Sequence, residues 1–66
     1  MNITVNGESR ELDSPCTLLE YLQHEGIDPN TVVAELDLVI IPKENFGTVR
    51  LVQGVSLEIL HFVGGG

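Results

Sequence analysis

Residues 57–66 read Leu57-Glu58-Ile59-Leu60-His61-Phe62-Val63-Gly64-Gly65-Gly66, an apolar run that passes straight into three glycines. The run is rich in β-formers and apolar on both faces. If Leu57 and Ile59 point into a core, the alternation of a strand turns Leu60 and Phe62 outward. Glycine loses more backbone entropy on ordering than any other residue and packs nothing. Disordered termini seldom begin directly from an apolar strand. The glycines therefore suggest a chain end that has to be presented. Exposed Leu60 and Phe62 beside it, together with Val63, suggest a protein interface. A domain of residues 1–63 and a flexible glycine tail of residues 64–66 are expected.

Upstream, Met1-Asn2-Ile3-Thr4-Val5 alternates as a half-buried strand. Asn6-Gly7 supplies the two positive φ values of a type I′ turn. Residues 8–13 return as a weaker strand with Leu12 as its inward anchor. The period then changes. Leu18, Leu19 and Leu22 share a helical face. Thr17 with Glu20 forms a capping-box pattern, with Ser14-Pro15 as the competing start. Gly26 ends the helix and Ile27 folds back onto it. Residues 31–36 read as an interior strand, interrupted at Asp37 and resumed by residues 38–41, with Pro42 as its end. Residues 43–47 have room for one helical turn closed by Gly47. A short strand over residues 48–52 and a turn over 53–56 precede the final strand. One helix and a sheet with an apolar face bury each other most economically as an α+β roll. Its first and last strands pair in parallel.

The 66 residues allow one domain with a marginal core. Ten acidic residues against three basic ones give a net charge of −7. That disfavours nucleic acid and anionic membrane surfaces and favours a protein partner with a basic groove. The single Cys16 cannot form an internal disulfide, which points to a reducing, cytoplasmic setting. No segment is long and apolar enough to span a bilayer.

The strand order, "TLLEYL" at the helix start, "VIIPKENF" after the third strand and the closing "EILHFVGGG" together resemble the ubiquitin-like β-grasp family. Within it they are most similar to the small sulfur carriers of thiamine biosynthesis, the ThiS type. The resemblance covers the whole chain and implies a mixed sheet of four to five strands packed on one main helix. Against that pattern, residues 35–41 are more apolar than the polar turn expected between the middle strands.

The resemblance also implies a function. A ThiF-like activating enzyme would use ATP to adenylate the carboxylate of Gly66. A cysteine desulfurase or persulfide would supply sulfur, making a thiocarboxylate. A ThiG-like thiazole synthase would take that sulfur for the thiazole of thiamine. The chain would be a protein co-substrate, not an enzyme, with no bound cofactor and no metal, and a monomer when free. Gly64 and Gly65 would thread a narrow channel where a Cβ would clash. From Val63 to Gly66 an extended tail reaches roughly 13 Å at about 3.3 Å per residue. Two related roles share this tail and stay open: the small, sulfur-carrying subunit of molybdopterin synthase, and a ubiquitin-like protein modifier.

Other side chains offer weaker chemistry. Cys16 and His24 lie near opposite ends of a short helix and are not expected to meet as nucleophile and base. His61 reads as an exposed polar residue. Gly47 and Gly54 are isolated turn glycines, not a phosphate loop.

Overall fold

The chain opens with a hairpin. β1 (Asn2–Val5) and β2 (Glu8–Glu11) pair antiparallel, with Asn2 opposite Glu11 and Val5 opposite Glu8. The turn between them uses Asn6 at φ 50° and Gly7 at φ 83°, the pair of left-handed residues that matches strand twist. This architecture is seen in a computed structural model that describes residues 1–62. The expected boundary between domain and tail, and residues Val63, Gly64, Gly65 and Gly66, lie outside the described residues. Ile3 and Val5 are buried, whereas every residue of β2 is exposed, so β2 is held by its ladder and not by burial. Leu12, the expected anchor, follows β2 half-buried against the core and donates its N–H to the Met1 carbonyl at 2.7 Å.

A two-residue strand, β3 (Cys16–Thr17), leads into the helix α1 (Leu18–His24). The capping box is complete: Glu20 N–H donates to Thr17 Oγ1 at 3.0 Å, and Thr17 N–H donates to Glu20 Oε1 at 2.7 Å. The helix therefore starts from Thr17 and not from Ser14-Pro15. The next two free donors are satisfied from elsewhere in the chain: Leu18 N–H reaches the Val49 carbonyl and Leu19 N–H the Phe46 carbonyl, each at 2.8 Å. At the other end Ile27 N–H bonds the Leu22 carbonyl and Gly26 N–H the Gln23 carbonyl, with Gly26 at φ 72°. This is a Schellman closure, and it turns Ile27 back onto the core. Leu18 and Leu22 are fully buried and Leu19 is half-buried. Tyr21 is buried as well, a core position that the leucine spacing alone does not indicate.

After a 3-10 turn (Pro29–Thr31), β4 (Val32–Leu36) and β5 (Val39–Ile41) form a second hairpin. Asp37 at φ 47° and Leu38 at φ 72° are its turn. Leucine has no local hydrogen bond to offset this conformation, which costs an L-residue with a Cβ roughly 1–2 kcal/mol. A further 3-10 turn (Lys43–Asn45) follows Pro42. The expectation that Gly47 closes this turn is corrected. Gly47 is not among the positive-φ residues, and the chain is held there by the N–H groups of Thr48 and Val49, both donating to the Asn45 carbonyl.

β6 (Arg50–Leu51) pairs with β3 as a separate two-stranded ladder, and β7 (Ser56–His61) joins the main sheet. The five-stranded order is β2-β1-β7-β4-β5, with β1 and β7 parallel and β4 and β7 antiparallel. The mixed α+β roll on one helix is thus present, with β3 and β6 as an addition. The helix, Phe46 and Leu51 cover one sheet face, where Ile3, Val32, Ala34, Leu57 and Ile59 are buried.

One side chain extends the central ladder. Thr4 N–H donates to the Val55 carbonyl and Asn6 N–H to the Leu57 carbonyl, so the next parallel acceptor for Ile59 N–H would be the main chain of Asn6. The chain turns away there, and Asn6 Oδ1 accepts from Ile59 N–H at 2.7 Å instead. Asn6→Gly keeps the positive φ accessible but leaves that N–H unpaired. It should cost about 1–3 kcal/mol in urea unfolding, whereas Asn6→Asp keeps the acceptor and should stay closer to the parent. In the same assay Leu22→Ala should cost about 2–5 kcal/mol, because it empties a fully buried site.

Candidate functional site

Among the described residues no helix covers the outer face of the sheet. Directly opposed residues share a face, so Leu60 with Val33, and Glu58 with Glu35 and Ile40, form rows across β7, β4 and β5. Leu60 is 61% exposed and Phe62 is 52% exposed. Their neighbours toward the core, Leu57 and Ile59, are buried as the alternation requires. Val33 fills in between, half-buried.

Phe62 is the last described residue, and its backbone is pinned. Its N–H donates to the Thr31 carbonyl at 2.9 Å. Thr31 is itself held by two bonds to the Asp28 carbonyl, from its N–H at 3.0 Å and from Oγ1 at 2.6 Å. Asp28 Oδ1 caps the 3-10 turn through Asn30 N–H at 2.9 Å, and Lys43 Nζ donates to Asn30 Oδ1 at 2.6 Å. The point where the chain leaves the sheet is therefore fixed by the β7 ladder on one side and a capped turn on the other. The expected site residues Val63, Gly64, Gly65 and Gly66 follow that point and lie outside the described residues. Leu60 and Phe62 are brought together at its root.

Electrostatically this face is acidic. Glu58 and Glu35 sit directly opposite each other, a like-charge pairing that works against the sheet. Among the described residues neither has an ion-pair partner. That pairing follows from strand register and was not legible in the sequence.

Cys16 and His24 line one depression with Glu11, Leu12, Asp13, Ser14, Glu20 and Tyr21. Among the described residues no hydrogen bond joins them; His24 Nδ1 instead lies 3.3 Å from Glu25 Oε2. Desolvation, then the Glu20 carboxylate, pushes the Cys16 thiol pKa up, with Arg50 opposing weakly. A thiol so placed stays protonated near neutrality and is a poor nucleophile. His61 is exposed. Among the described residues no three His, Cys, Asp or Glu side chains gather into a metal-binding group, and no helix is long and apolar enough to cross a membrane.

Comparison with known proteins places this geometry. A model described as the ThiS family matches residues 3–66. The chain belongs to the ThiS family. Its fold superposes on the crystal structure of a thiamine biosynthesis protein (ThiS) from Geobacter metallireducens with a TM-score of 0.87 at 30% identity, covering all of both chains. It superposes on the NMR solution structure of a thiamine biosynthesis protein from the same bacterium with a TM-score of 0.82 at 30% identity, covering 88% of that chain. The roll is therefore the ubiquitin-like β-grasp expected. Over all 66 residues the chain is also 36% identical to a thiazole synthase of Paramagnetospirillum magneticum and 32% identical to one of Magnetococcus marinus. It spans only 20% of the length of each of these two curated relatives.

The raised thiol pKa has a measurable consequence. At pH 8 iodoacetamide should alkylate Cys16 more slowly in the folded chain than in urea-unfolded chain, and the gap should narrow as pH rises past the folded value. Equal rates at pH 8 would show a thiol unaffected by burial.

Proposed function

We propose that this chain is a sulfur carrier of thiamine biosynthesis that presents Gly66 to partner enzymes. The observation that supports this best is the family match, which runs through the closing glycines to residue 66. The pinned root at Phe62 and the open apolar face beside it suit a chain that must be held while its end is worked on.

The chemistry requires a free carboxylate on Gly66. A carboxylate is a poor electrophile, so a partner would first join it to the α-phosphorus of ATP, releasing pyrophosphate. A persulfide sulfur would then displace AMP to give an acyl disulfide. A second thiol would cleave the S–S bond, leaving the thiocarboxylate and a disulfide on the donor side. A thiocarboxylic acid is ionised at neutral pH and nucleophilic without a helper base. In this reading no side chain of the carrier enters the reaction; its partners supply the activation and the acceptor. By analogy with the relatives named thiazole synthase, the acceptor is such an enzyme. Leu60, Phe62 and Val63 form the contact next to the tail, and Gly64 and Gly65 let backbone pass along a channel wall.

The test is an intact-mass measurement after incubation with an activating enzyme, ATP and a persulfide donor. Replacement of one oxygen by sulfur on the C-terminal peptide is expected. A lasting isopeptide bond to a lysine of another protein would mark a modifier, and sulfur delivery only to a molybdopterin precursor would mark the other sulfur-carrying role. Gly65→Val should leave thermal unfolding within about 0.5 kcal/mol. It should slow ATP–pyrophosphate exchange around a hundredfold, because about 1 Å of misplacement at a reacting group costs that much. An unchanged exchange rate would remove the threading role of the glycines.

A further inference from the structure

The tip of the β4–β5 hairpin is unlike a solvent-facing turn. Leu38 is 89% exposed and holds a left-handed φ of 72°, and Val39 and Ile40 beside it are each more than half exposed. A strained backbone under an exposed leucine weakens the fold twice, and such outliers persist where they serve a function. The tip is also held rigidly. Asp37 N–H donates to the Ser56 carbonyl at 2.8 Å and Asp37 Oδ1 accepts from Ser56 N–H at 2.8 Å, so the turn is locked to the start of β7. Six residues of β7 separate this point from Phe62, roughly 20 Å at about 3.3 Å per residue. The tip and the root of the tail thus mark opposite ends of the same central strand. The opposed carboxylates Glu35 and Glu58 lie between them, in one row with Ile40.

We infer that the hairpin tip is a second docking point, by which Leu38 and Ile40 enter an apolar cleft on a thiazole synthase while Lys or Arg at its rim meets Glu35 and Glu58. This rests on the sulfur-carrier reading and deepens it. The choice of occupant comes from charge and from the relatives. A second copy would bring another net charge of −7 against this one, and its own acidic row against the acidic row here. A cationic rim instead relieves the Glu35–Glu58 repulsion. In both curated relatives a stretch similar to this chain makes up a fifth of a thiazole synthase, which makes such an enzyme the partner class the relatives offer. Two contacts far apart on a rigid strand fix the carrier's angle as well as its position, which one patch beside the tail does not do.

The experiment measures direct binding of the full chain to a separately purified thiazole synthase by calorimetry, beside thermal unfolding. Leu38→Gly restores an Asp-Gly turn suited to both φ values, so its Tm should equal or exceed that of the parent while its Kd rises at least tenfold. Leu38→Met keeps an apolar tip and should retain binding. Glu35→Gln with Glu58→Gln should flatten the dependence of Kd on salt. Unchanged affinity for Leu38→Gly would overturn the inference. So would a parent chain that does not bind the synthase, a loss confined to the activating enzyme, or a change only in self-association. The binding assay needs no sulfur on Gly66. A chain that binds through its tip but takes no sulfur would sink the carrier reading alone; one that takes sulfur with Leu38 indifferent would sink the docking point alone.

Discussion

The parallel pairing of β1 with β7 is the constraint on which the rest of the molecule depends. It places the last strand in the middle of the sheet, hydrogen-bonded to β1 on one side and β4 on the other. A parallel pair needs a long crossover, and everything between Val5 and Ser56 serves as that crossover. The helix covers the face that the pairing creates, and β4–β5 adds to the free side of β7. The ladder is closed by residues far apart in sequence, Thr4 opposite Ser56, so its formation has to offset a large loop-closure entropy. Three side-chain acceptors help at the places where main-chain partners run out. Asn6 serves Ile59, Asp37 serves Ser56, and Gln53 Oε1 accepts from Asn2 N–H at 2.8 Å.

The same arrangement separates a buried face from an exposed one. All the buried apolar residues lie on the helix side or in the segments that close it, and no charged side chain is among them. The opposite face carries Leu60, Phe62, Ile40, the half-buried Val33 and two facing carboxylates. Truncating a residue of the first group empties buried space and lowers stability, whereas truncating an exposed one of the second leaves the core intact. The last described residue, Phe62, follows the central strand of the sheet, which is paired on both sides.

Much of this was legible from residue types. Asn6-Gly7, the Thr17–Glu20 capping box, Gly26 followed by Ile27, and Pro42 each act through local chemistry, and each stands where its chemistry predicts. The outward turn of Leu60 and Phe62 followed from a two-residue period. What was not legible depends on register. The Glu35–Glu58 opposition, the capture of Ile59 by Asn6 and the pairing of β3 with β6 require knowing which strand lies beside which. Tyr21 was missed because one aromatic hydroxyl breaks the leucine pattern without leaving the buried face. Gly47 was misread for the opposite reason: a glycine after a helical turn suggests a left-handed stop, but here the Asn45 carbonyl already holds the chain. At the candidate site, the residues that carry the proposed chemistry were named from the glycine tail, while the hairpin tip looked only like an unusually apolar turn.

The two free edges of the sheet are chemically opposite. β2 offers Glu8, Ser9, Arg10 and Glu11 along its length, and β5 offers Val39, Ile40 and Ile41 before Pro42 interrupts it. Head-to-tail growth into a filament would need edge β2 of one molecule to zip onto edge β5 of the next, setting a charged strand against an apolar one. Tail-to-tail growth through β5 would join at most three residues on each side before a residue with no amide hydrogen. An open sheet has two places at which it could be extended without limit. Here those two places differ in chemistry, one charged and one apolar, in a sheet that does not close into a barrel.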